Sequence, residues 1–118
     1  MIKYSDLTKG ERFWLARRRS DENTDQCSRR LKVSEDKISA WENGRDVENC
    51  PSVVLHARLS IGEALAFARR RKGWKIKETA RRMRVSHVTL IKWEKDRNST
   101  QDQAVAFWDR KGWPARAA

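Results

Sequence analysis

Leucine, isoleucine, valine and phenylalanine together make only 22 of the 118 residues. With a net charge of +11, so small an aliphatic share is the composition of a disordered chain. Six tryptophans, each able to bury a large area, and a sustained helical periodicity argue instead for a folded chain of modest stability. No apolar run is long enough to cross a bilayer and no basic-then-apolar leader opens the chain, so a protein cytoplasmic in a simple cell, there nucleoid-associated, or nuclear in a complex one is expected. The two cysteines, Cys27 and Cys50, have no metal-ligand spacing with each other or with His56 and His87, which predicts free thiols and no metal site. There is also no glycine-rich phosphate loop and no nucleophile beside an evident base. No enzyme activity, catalytic residue or cofactor is therefore expected.

What is present centres on residues 74–97, WKIKETARRMRVSHVTLIKWEKDR. Thr79, Ala80 and Met83 recur at helical spacing, and Leu90 and Trp93 resume it after a single break. Arg84-Val85-Ser86 fills the break, with Val85 as an apolar plug and Ser86 placed to cap the next helix. Two helices joined by a tight turn result. If Leu90 and Trp93 face inward, His87, Val88, Thr89 and Lys92 lie outward or on the flanks. Short or hydrogen-bonding side chains at the start of an exposed helix are what reading the major groove requires.

Shifted by 52 residues, the chain matches itself: Leu7 to Arg45 lies over Leu59 to Arg97 without a gap, with 14 of 39 positions identical. Thr8 with Glu11 and Ser60 with Glu63 form capping boxes, so a first helix is predicted from about Gly10 and again from about Gly62. Arg17-Arg18-Arg19 and Arg69-Arg70-Arg71 end those helices and remain available for phosphate. Val33-Ser34 repeats as Val85-Ser86, and Trp41-Glu42 as Trp93-Glu94. Gly44 is placed for a left-handed helix stop. A fourth helix is expected in each copy, opening at Pro51 in the first and capped by Thr100 in the second. Ala104, Phe107 and Trp108 form a face that either completes the core of its own copy or pairs two chains. The expected fold class is all-α, with two tandem helical domains of about four helices each, at residues 1–58 and 59–118.

This succession resembles the phage repressor and Cro type helix-turn-helix family. The second copy carries the likeness in Gly73-Trp74-Lys75, Ala80, Met83, Val85-Ser86, Leu90 and Trp93-Glu94. The first keeps Leu31, Val33-Ser34, Ile38, Trp41-Glu42 and Gly44 but opens its second helix with Asp21-Glu22-Asn23. The resemblance implies compact helical domains that bind operator DNA as dimers. By position it places base reading on Ser86, His87, Val88, Thr89 and Lys92, and on Ser34, Glu35, Asp36, Lys37 and Ala40. The phosphate contacts expected are Thr24, Asn43, Arg45, Arg69, Lys75, Lys77, Lys95, Arg97 and Asn98.

The copies are unequal in charge. Residues 1–58 hold twelve lysines and arginines against ten carboxylates, and residues 59–118 hold fifteen against six, giving +2 and +9. Glu35-Asp36 favours its own helix dipole but repels phosphate, so the second copy is expected to supply most of the affinity. The function expected is a sequence-specific, double-stranded-DNA-binding transcriptional regulator, a repressor before an activator, from a phage, plasmid or other mobile element. The partners expected are duplex DNA, a second copy of the chain, and a protein held by the N-terminal domain; no membrane is expected. Two alternatives stay open. The copies read two half-sites or the second reads alone, and in a different class the chain binds a polymerase, repressor or toxin.

Overall fold

The computed structural model describes residues 1–53, 58–97 and 100–115. Every regular element among them is helical, so the chain is all-α. After a 3-10 turn at Tyr4–Asp6 come α1 (Lys9–Arg19), α2 (Thr24–Leu31), α3 (Glu35–Glu42), α4 (Ile61–Lys72), α5 (Ile76–Met83), α6 (His87–Glu94) and α7 (Asp102–Lys111). Helices α2 and α5 start and stop 52 residues apart, as do α3 and α6. None of the described helices is long and apolar enough to cross a membrane.

The chain divides into two compact units. The first is Leu7–Ala57; the second is Arg58–Ala118 together with Met1–Asp6. A boundary at residue 58 therefore misplaces the first six residues. Ile2 is buried, and the Arg71 guanidinium donates to the carbonyl oxygens of Asp6 and Pro114, both at 2.9 Å. The repeat begins at Leu7, so the residues before it have no counterpart from which periodicity could assign them.

Local chemistry sets the helix ends. Both capping boxes form: Thr8 and Ser60 accept from the backbone N–H of Glu11 and Glu63, each at 3.1 Å, and the glutamates accept in return at 2.9 Å. These caps start α1 and α4 one residue before the glycines. Ser34 and Ser86 cap α3 and α6 through their hydroxyls. Between the second and third helices of each copy, Lys32 (φ +56°) and Arg84 (φ +60°) stand in the left-handed region. The N–H groups of Val33 and Val85 then close each turn onto Ser28 and Ala80 at 3.1 and 3.0 Å. Gly44, at φ +73°, is left-handed as expected.

In the first unit Phe13, Cys27, Ile38, Trp41 and Cys50 form the core, with Leu31, Val33 and Val53 packed against it. Both cysteines are free and buried. In the second unit Leu65, Phe67, Ala80, Met83, Leu90, Trp93, Ala104 and Trp108 are buried. Ala104 and Trp108 thus complete the core of their own unit. Trp74 stacks on Trp108 with ring centres 5.6 Å apart, and Phe107 meets Trp108 edge-on at 5.2 Å.

A close backbone approach fixes the third helix of each copy. A methyl group on Gly10 would overlap the carbonyl oxygen of Trp41, and one on Gly62 would overlap those of Trp93 and Glu94.

Two expected features differ. No helix opens at Pro51: residues 51–53 are irregular, and Asp46 and Asn49 form a hydrogen-bonded turn before them. The irregular chain after that turn brings Cys50 and Val53 to the core instead. Val54 and Leu55, assigned to that helix, lie outside the described residues. The first unit therefore has three helices among its described residues, against four in the second. Helix α7 is preceded by Gln101 rather than capped by Thr100, and the Gln101 amide donates to Trp93 O at 2.6 Å and Asp96 Oδ1 at 2.9 Å.

Candidate nucleic-acid interface

Helix α6 buries Leu90, Trp93 and Glu94, leaves Thr89 and Ile91 half-buried, and exposes His87, Val88 and Lys92. Val88, Lys92 and Lys95 recur at i, i+4 and i+7, and all three are exposed. Val88 keeps 50 % of its surface in solvent, high for an aliphatic residue. His87 is exposed at the first helical position. Ser86 and Thr89 flank this edge with their hydroxyls bonded to each other at 2.9 Å, while Ser86 also accepts from Thr89 N–H at 3.1 Å. The base-reading candidates of the second copy therefore share one edge, with Thr89 half-buried at its margin.

Cations border that edge. Lys75, Lys77, Arg81, Arg84, Lys95 and Arg97 are exposed, and none has an ion pair among the described residues. Arg81 and Arg84 were not among the sequence candidates. Lys77 and Arg81 are one turn apart on α5, and Arg84 stands exposed in the turn that follows it. Several carboxylates nearby bond within the unit. Glu94 holds Arg69, Asp96 accepts from Gly62 N–H at 2.8 Å and from Gln101, Glu63 belongs to its capping box, and Asp109 accepts from Trp113 Nε1 at 2.8 Å. The second unit holds seventeen lysines and arginines against seven carboxylates, +10, and the first holds ten against nine, +1.

Some candidates are corrected. Arg69 is engaged within its own unit: its Nε and Nη2 meet Glu94 at 2.8 and 3.1 Å and its Nη1 donates to Trp74 O at 3.1 Å. Arg17 repeats this with Glu42 at 2.6 and 2.9 Å and Glu22 O at 3.0 Å. Helix-terminal arginines look available in sequence, but a buried glutamate 25 residues on must be neutralised, and each arginine does so. Asn98 lies outside the described residues.

In the first copy three phosphate candidates make surface hydrogen bonds within their own unit. Thr24 Oγ1 donates to Glu35 at 3.1 Å, Asn43 Nδ2 to Ser39 O at 2.8 Å, and Arg45 Nη2 to Ser39 Oγ at 3.1 Å. Ser34, Glu35, Asp36 and Lys37 are exposed at the start of α3, and Ala40 is half-buried. Arg29 pairs with Asp25, and Arg30 pairs with Glu22 at 2.8 Å. The hydrogen bond from Arg30 holds the Glu22 carboxyl below the ordinary carboxylate range. Burial pushes the Cys27 and Cys50 thiols up, which disfavours the reactive thiolate.

The same repeat position thus has opposite fates. Arg30 closes an ion pair, whereas Arg82 lies 4.3 Å over the Trp74 ring and reaches Glu78 only at 3.8 Å. Among the described residues no group of three or more histidines, cysteines and carboxylates is placed to hold a metal ion. Comparison of the chain with family models, curated proteins and solved structures finds no match.

Proposed function

We propose that this chain is a sequence-specific, duplex-DNA-binding transcriptional regulator, a repressor in its simplest mode, that reads the major groove with α6. The observation that carries the reading is the outward edge of α6, where groups able to probe bases stand among cations without ion pairs. An α-helix fits the major groove, and there each base pair presents a distinct pattern of donors, acceptors and methyl groups. Lys92 is suited to guanine O6 and N7, Val88 to a thymine methyl, and His87 to a purine acceptor. Lys75, Lys77, Lys95 and Arg97 would take phosphates and fix the register. Blocking a promoter requires no surface beyond the DNA contact, which favours repression. A regulator of this size and resemblance suits a phage, plasmid or other mobile element, acting on the nucleoid.

Selection of bound duplexes from a random pool tests the reading. A recovered motif whose binding falls about a thousandfold between 50 and 200 mM salt, as expected for roughly six neutralised phosphates, supports it. A pool that yields no enrichment even at low salt would leave the rival reading. In that reading the chain holds a protein partner, a reading favoured by the acidic start of α3 at Glu35 and Asp36.

A further inference from the structure

The two copies keep one frame and reverse what it presents. Their second and third helices coincide at a spacing of 52 residues, residues 32 and 84 are both left-handed at the turn, and a buried arginine–glutamate pair locks each. The difference lies where the second and third helices begin. Thr24 Oγ1 meets Glu35 Oε1, so those two helix starts lie side by side in the first copy. Asp25, Glu35 and Asp36 stand exposed around them; the matched residues of the second copy, also exposed, are Lys77, His87 and Val88.

This exchange has two consequences for a phosphate. Like charges repel at short range even in bulk water, so three carboxylates oppose its approach to the first copy. One turn along α2, Arg29 is already drawn onto Asp25, while its counterpart Arg81 sits one turn from Lys77 and has no ion pair. The helix starts differ as well: Asn23 and Gln26 close α2 with a capping box, but Lys75 gives α5 no side-chain cap.

Resting on the reading that α6 holds duplex DNA, we propose that Asp25, Glu35 and Asp36 are the residues that withdraw the first copy from DNA. Each chain then grips a single half-site although it contains two frames for the task. The first copy is a latent reader, kept off phosphate by its surface and not by its fold.

Transplanting the second copy's residues into the full chain tests this. Asp25→Lys, Glu35→His and Asp36→Val together should steepen the slope of log affinity against log salt by about two, one for each newly neutralised phosphate. They should also lengthen the footprint on a duplex carrying two half-sites. Asp36→Val alone leaves the Thr24–Glu35 and Arg29–Asp25 bonds in place and should give a smaller change of the same sign. The reciprocal variant, Lys77→Asp with His87→Glu and Val88→Asp, should abolish duplex binding by the whole chain, with its helical circular dichroism retained. The proposal is overturned if the first variant leaves slope and footprint unchanged, if the wild type already protects two half-sites per chain, or if the reciprocal variant binds like wild type. A wild type that holds no duplex at low salt overturns the DNA reading and this proposal with it, a result distinct from the other three.

Discussion

Arg69 Nε donates to Glu94 Oε2 at 2.8 Å, and the Glu94 side chain keeps only 6 % of its surface in solvent. Arg17 and Glu42 repeat the bond 52 residues earlier at 2.6 Å. In the second copy the pair joins the last turn of α4 to the end of α6 and so ties the two helices together. Removing one partner leaves the other buried and uncompensated. Arg69→Ala should therefore cost about 3 to 5 kcal/mol of stability in urea or thermal unfolding. If the loss appears in DNA affinity while stability is unchanged, Arg69 belongs to the interface after all.

Gly62→Ala offers a test with an unusual sign. Within a helix that exchange ordinarily gains about 1 kcal/mol. Here the added methyl group would overlap the carbonyl oxygens of Trp93 and Glu94, so a loss of about 1 to 3 kcal/mol is expected, typical of overpacking. A stabilised variant in the same unfolding assay would show that α4 and α6 do not approach this closely.

Trp93 is buried to 4 % exposure, and Trp93→Ala should cost about 3 to 5 kcal/mol, the range for truncating a large core aromatic. A chain with an aliphatic share this small has little reserve against such a loss. Wild-type stability of the variant, measured by thermal unfolding, would remove Trp93 from the core.

Glu22 provides a dependence on pH. Its folded carboxyl is held below the ordinary value of 4.5 by the hydrogen bond from Arg30. The group binds protons less readily folded than unfolded, so its contribution is present above the unfolded value and fades as pH falls through the folded one. Glu22→Gln should accordingly be less stable than wild type at pH 7, with the gap closing at acid pH. A gap that does not change with pH would show that the bond to Arg30 does not depend on the carboxylate charge. The pair is exposed on its arginine side, so the effect will be small.

Lys92→Ala should weaken binding to the selected sequence by about 1 to 3 kcal/mol and relax the preference at one base pair, with folding unchanged because Lys92 is exposed. Titration against matched and mismatched duplexes separates the outcomes. Equal loss on every sequence would move Lys92 from the bases to the backbone.

The sequence alone determined the helices that matter. Capping residues and apolar spacing act over a single turn, so Thr8, Ser34, Ser60 and Ser86 announced helix starts that all four serve, and the 52-residue repeat carried the frame from one copy to the other. Tertiary structure decided which charges remain for a partner. Arg17 and Arg69 resemble the other helix-terminal arginines in the chain, yet each neutralises a glutamate 25 residues away. Arg30 and Arg82 share a repeat position, yet one meets Glu22 and the other Trp74. Likewise Met1–Asp6 joined the second unit, and residues 51–53 are irregular, with Val53 packed on the first core, instead of opening a helix. Periodicity reports which face of a segment is apolar, because that follows from backbone geometry. An ion pair depends on a distance in space that only the packed chain sets, and that distance decides whether a positive charge is bound within the fold or left exposed on its surface.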